Sequence, residues 1–122
     1  MLDKLKLFFL SSFLFLVVGC GSDTAVDLVV NGNMDNCPQK TLGQMANDYM
    51  DSPSWESLVA VDGSTYVNLK GGITYDGVPA TALVQFLVNE NTDRFEVNVM
   101  EINDVPQNNL IAIVLLNNMC EA

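Results

Sequence analysis

The stretch from Val67 to Val88, VNLKGGITYDGVPATALVQFLV, decides the fold. In its first half Val67, Leu69, Ile73 and Tyr75 alternate along an extended chain, with Gly71-Gly72 marking a bulge or bend. Asp76-Gly77 then supplies a pair that tolerates positive φ, the signature of a tight hairpin turn. Beyond the turn Ala80, Ala82, Val84, Phe86 and Val88 face one way, while Leu83 and Leu87 face the other. Two strands joined by so short a link run antiparallel.

The pattern extends in both directions. Upstream, Trp55, Val59 and Val61 share one face of a preceding strand, closed by the turn pair Asp62-Gly63. Downstream, Asn89 to Asp93 is a polar loop, and Phe95, Val97 and Val99 alternate on a further strand. Helical periodicity flanks this sheet. Thr41 and Gln44 have capping-box spacing, and Leu42, Met45, Ala46, Tyr49 and Met50 form one apolar helical face that Pro53 ends. Gly43 weakens that helix by about 1 kcal/mol relative to alanine, so it depends on tertiary packing. Asp104 and Gln107 repeat the capping-box spacing around Pro106, and Leu110 to Met119 is apolar except for Asn117 and Asn118. The expectation is an α+β domain: an N-terminal helix, a four-stranded antiparallel meander and a buried C-terminal helix, packed on one sheet face.

The N-terminal region reads differently. Lys4 and Lys6 precede an apolar run from Leu7 to Val18, interrupted by Ser11 and Ser12. This is the layout of a secretory signal, and the run is shorter than the roughly 20 residues a membrane-spanning helix needs. Val17-Val18-Gly19-Cys20 resembles the lipobox of bacterial lipoprotein precursors. That resemblance implies removal of residues 1–19, lipidation of Cys20 and attachment to a membrane, with several acyl chains making the anchor stable. Gly21 stands where an aspartate would imply inner-membrane retention, so in a Gram-negative cell it implies the outer membrane, facing the periplasm. A short anchor, or an ordinary signal with a chance cysteine, is the alternative. The chain then divides into a signal peptide (1–19), a lipidated tether with a possible edge strand at Val26–Val30 (20–35), and one α+β domain (36–122).

Removing residues 1–19 leaves 103 of the 122, enough for one modest core. That part keeps three basic residues, Lys40, Lys70 and Arg94, against 14 acidic ones. Such a surface repels nucleic acid and anionic headgroups, and it suits either simple solubility or a basic partner. With Cys20 carrying lipid, Cys37 and Cys120 remain. In an oxidising compartment they pair in only one way, and the bond ties the two ends of the domain together. Two free thiols are the alternative, without a CxxC spacing to support them.

The chain contains no histidine. This removes Ser-His-Asp and Cys-His catalysis, the common zinc sites and the usual neutral-pH base. A carboxylate pair could do glycosidase-type work, but among 14 carboxylates on so short a chain chance proximity is expected. Asn31-x-Asn33-x-Asp35 and Asn89-x-Asn91-x-Asp93 carry alternating oxygens like a calcium loop, yet their sixth and twelfth positions hold Asn36 and Leu42, or Arg94 and Met100. A calcium hand needs glycine and glutamate there, so both segments read as polar turns. No catalytic residue, metal site or cofactor is expected.

Four residues are candidates for an interaction surface. Trp55, the single tryptophan, is either an exposed anchor or a packing residue between helix and sheet. Leu83 and Leu87 oppose the inferred core face. Asp104 lies in a polar segment that either recognises a partner or caps the last helix.

Several segments taken together resemble a small exported bacterial domain found in short lipoproteins and appended to zinc-ribbon or membrane-anchored proteins. They are Thr41-Leu42-Gly43, Ser52-Pro53-Ser54-Trp55, Val84-Gln85-Phe86, Phe95-Glu96-Val97 and Asn103 to Asn108. The resemblance spans about residues 26 to 119. It implies the layout above and no catalytic residues. The functional expectation is a lipid-anchored envelope protein that binds an unidentified envelope protein without catalysis. The alternatives are a carrier of a small apolar ligand, with a pocket between sheet and C-terminal helix, or an inhibitor of a basic hydrolase such as a lysozyme.

Overall fold

The computed structural model describes residues 17–20 and 23–122. The basic start, most of the apolar run and the sorting position Gly21 lie outside them. The fold is α+β, with three helices and one antiparallel sheet in the order β1 (Val17–Cys20), α1 (Asp23–Val30), α2 (Leu42–Tyr49), β2 (Asp51–Ala60), β3 (Thr65–Tyr75), β4 (Val78–Asn89), β5 (Arg94–Ile102), β6 (Val105–Pro106) and α3 (Asn109–Glu121). Each strand pairs with its neighbour in strand order; β2 to β6 form a meander, and β1 joins β2 across the two intervening helices.

The four expected strands are β2 to β5, and the sheet gains a short strand at each end. On one face Leu69 pairs with Val84 and Val67 with Phe86. These meet Ala25 and Val29 of α1 and Leu42, Met45 and Ala46 of α2 in one fully buried core. Phe86 is its largest member and meets the half-buried Phe95 edge-to-face at 5.8 Å. The capping box of α2 is present as expected: Gln44 N–H donates to Thr41 Oγ1 at 3.1 Å and Thr41 N–H donates to Gln44 Oε1 at 2.8 Å.

Several expectations are corrected. Val26–Val30 is not an edge strand and residues 23–30 are not a loose tether. Ala25 and Val29 are four apart, so a helix places both on the core, with Val26 and Leu28 partly covered beside them. The first edge strand is Val17–Cys20, which pairs with β2 through Val17 and Ala60, Gly19 and Val59, and Cys20 and Leu58. Helix α2 ends before Pro53: Met50 is an extended C-cap, and Pro53 falls where the β2–β3 register shifts between Asp51 and Ser54. Gly71 and Gly72 lie opposite that shift in a regular β3–β4 ladder. A Cβ on Gly71 would come within 2.9 Å of the Met50 side chain, so close approach and not a bulge requires glycine. Val61 leaves the sheet for the turn after Ala60 and is 60 % exposed.

The C-terminal part differs most. Asn103 and Asp104 take positive φ in a tight turn, and Val105–Pro106 is a strand. The Gln107 N–H is used by Met100 O at 2.8 Å. Asp104 therefore caps no helix; Asn108 does, its Oδ1 accepting from Ile111 N–H at 3.0 Å. Helix α3 is not buried all round. It buries Leu115, Leu116, Met119 and Cys120 but leaves Leu110, Ile113 and Val114 about half or more exposed. Cys120 is bonded to Cys37, closing 83 residues of chain.

Candidate functional site: a groove between β5 and α3

In a meander the helices cover the sheet unevenly. Helices α1 and α2 sit on β2 to β4, while α3 packs on α2. This leaves a cleft of about 560 Å³ between β5 and α3. One wall is Phe95 to Met100 of β5; the other is Ala112, Ile113 and Leu116 of α3, with Met34 at one end. Polar groups of Asp35, Asn36, Glu96, Asn98, Gln107 and Asn109 form the margins.

Residues 31–41 are held rigidly as the end wall. Asn33 Nδ2 donates to Pro38 O and Lys40 O, at 3.3 and 2.6 Å, and Leu42 N–H donates to Gly32 O at 2.8 Å. Asn36 Nδ2 donates to Asn117 Oδ1 of α3 at 2.8 Å, beside the Cys37–Cys120 bond. The disulfide and this side-chain hydrogen bond together fix α3 against the loop. Across the cleft, the β4–β5 register shifts between Gln85 and Phe86, which face Val99 and Val97. The intervening Asn98 donates from Nδ2 to Gln85 Oε1 at 2.8 Å. The strict alternation expected for Phe95, Val97 and Val99 is broken here, which re-aims this part of β5.

A second, more polar depression of about 470 Å³ shares Asn33, Asp35, Phe95 and Glu96 with the cleft and continues past Asp93 and Arg94. The two form one groove, apolar in the middle and acidic at one end.

Of the interaction-surface residues singled out from sequence, Leu87 lines the second depression of the groove, and Trp55, Leu83 and Asp104 line neither part of it. Trp55 belongs to β2, opposite Leu69, half-buried against the core. Leu83 and Leu87 are half-buried on the opposite sheet face, aligned with Lys70 and Tyr66. Asp104 is exposed in the β5–β6 turn. There it bears on Glu101, whose carboxyl is pushed above its ordinary pKa first by burial and then by Asp104, against the opposing pull of Lys70. Cys20 enters through its backbone pairing with Leu58. The paired cysteines line neither depression; they staple the end-wall loop to α3.

The calcium-like segments are turns. Asn33 holds loop carbonyls, and Asn89 Oδ1 accepts from Asn91 and Thr92 N–H at 3.0 and 3.3 Å. Among the described residues no group of three or more acidic or cysteine side chains is placed to hold a metal ion. Nor is any described helix long and apolar enough to cross a membrane.

Sequence reasoning passed over the groove residues because Phe95, Val97 and Val99 read as an ordinary core face and Leu110 to Met119 as a buried helix. The available signal was in that helix. A nearly all-apolar helix that packs along one side, as α3 does on α2, leaves its other side in view of solvent.

No protein-family model, no curated protein and no solved structure matches this chain, so the resemblance to a small exported domain rests on the five quoted segments alone.

Proposed function

We propose that this chain is a lipid-anchored bacterial envelope protein that binds another protein, without catalysis, through the α3 side of the domain. One observation carries the reading: Leu110, Ile113 and Val114 expose large apolar surface beside an open groove. Water-exposed leucine, isoleucine and valine on consecutive turns of one helix are unfavourable unless something covers them. The carrier reading draws on the same groove, which lies between sheet and C-terminal helix where such a pocket was expected, but an open cleft would leave a small apolar ligand in contact with water. The anchor rests on Val17 to Cys20 and the apolar run before it.

The test is crosslinking in the native envelope with a tagged chain, beside Cys20→Ser and Ile113→Asp variants. A stoichiometric partner that Ile113→Asp loses supports the reading. Identical captures from the parent and Ile113→Asp chains refute it, and a small molecule retained in native mass spectrometry transfers it to a carrier. Intact mass tests the anchor separately: the membrane-extracted protein should lack residues 1–19 and carry acyl chains.

A further inference from the structure

The groove also specifies how a partner would be held, given the reading that this side of the domain binds a protein. Strand β5 is a sheet edge over most of its length. β6 pairs with Glu101 and Ile102, and Gln107 N–H takes Met100 O just beyond it, so among the described residues Arg94 to Val99 has a ladder partner on the β4 side alone. Six consecutive residues, Phe95 to Met100, line the cleft. Successive side chains of a strand point to opposite faces, so six in a row line one cleft only where the cleft runs along the strand's edge. At ~3.4 Å per residue that edge is ~17 Å long. Facing it, Ala112, Ile113 and Leu116 present apolar side chains from consecutive turns of α3. An open backbone edge faced by an apolar helix is what strand addition requires. The edge supplies main-chain hydrogen bonds, and the helix supplies contacts for every second side chain.

We propose that the groove takes an extended segment of a partner protein as an added strand beside β5. Apolar residues at alternate positions of the segment lie on Ile113 and Leu116. Lysine or arginine at one end lies by Asp35, Asp93 and Glu96, where among the described residues Arg94 is the one cation lining the groove. The formal charge of −10 over the chain favours the same partner.

A phage library of random dodecapeptides is panned against the full chain in mild detergent. The best peptide is then compared with a copy N-methylated at alternate residues, which keeps its side chains but cannot complete a ladder. The expected selection is alternating apolar residues with a basic end. Amide exchange within Phe95 to Met100 should slow by about tenfold or more on binding, and N-methylation and Ile113→Asp should each weaken binding by about tenfold, a change of ~1.4 kcal/mol. No enriched peptide, an enriched helical spacing of three and four, or equal affinity of the N-methylated copy overturns strand addition. A dimer in native mass spectrometry that any selected peptide fails to dissociate assigns the groove to a second copy and also overturns it. A partner crosslinked at α3 alongside any of these results leaves the protein-binding reading standing, whereas absence of any crosslinked partner removes that reading itself.

Discussion

Replacing Cys37 and Cys120 together by alanine should cost about 4–5 kcal/mol of folding stability. The two residues are 83 apart in sequence. In the chain-entropy picture a closed loop of that length restricts the unfolded chain by about 4.5 kcal/mol at 25 °C. Both positions are buried, so alanine leaves no stranded hydroxyl. The Gln39 Nε2 donor that reaches Cys120 Sγ at 3.1 Å belongs to an exposed residue and can turn to water. A domain of about 100 residues has roughly 5–15 kcal/mol in total, so the variant would retain marginal stability or unfold at 37 °C. With a urea slope of about 1.5–2 kcal/mol per molar, the midpoint should fall by about 2–3 M, with the parent in reductant behaving like the variant. The loss should also be uneven. Helix α3 is pinned at its C-terminal end by this bond and by Asn36 to Asn117, and its exposed apolar side holds nothing. Its amides should therefore exchange faster than those of β3 and β4 in the variant. A midpoint shift below about 0.5 M, or α3 amides as protected as those of the central strands, would refute the reasoning.

Gly32→Ala should destabilise the fold by about 1–3 kcal/mol and shift the NMR signals of Phe95 and Val97, because the added methyl meets the Phe95 ring and lies 2.9 Å from Leu28 O; an unchanged urea midpoint would count against the packing described. Glu101→Gln should raise the midpoint at pH 7 and leave it unchanged near pH 3. Burial and Asp104 raise the carboxyl's pKa, so the folded chain holds the proton more tightly than the unfolded chain. The stability this contributes is present below about pH 4 and is lost as pH rises through the raised value, a loss that glutamine does not suffer. Equal shifts at the two pH values would show that packing and not ionisation sets the effect.

The central sheet was legible because its turns and its alternation agree. Asp62-Gly63 and Asp76-Gly77 bracket β3, and the φ of +90° at Gly63 and +79° at Gly77 is the conformation those pairs were read for. Helix α2 was legible from its cap. The misread parts share a physical cause. Val26–Val30 is β-branched and apolar, and local propensity cannot tell that Ala25 and Val29 will meet a core as helical neighbours. Asp104 and Gln107 have capping-box spacing, yet the N–H of Gln107 finds Met100 O first. A pocket between sheet and C-terminal helix was among the expectations, but the open groove and its lining residues were not legible, for a similar reason. The groove depends on β6 ending after two residues and on the shifted register around Asn98, and neither leaves a mark on hydrophobic pattern.

The sheet order gives the molecule two ends. Strand β1, which ends at Cys20, and the groove strand β5 lie at opposite margins of the sheet, four inter-strand steps apart. At ~4.8 Å per step the separation is ~19 Å. That is about twice the distance over which physiological salt screens a charge. Under the proposed lipidation, removal of residues 1–19 would leave only Cys20 of β1, still beside Leu58 at this margin, and would set the anchor and the acidic groove at opposite margins of the sheet. The anionic headgroups of a membrane would neither repel the groove nor compete with it for a basic strand arriving from the other side.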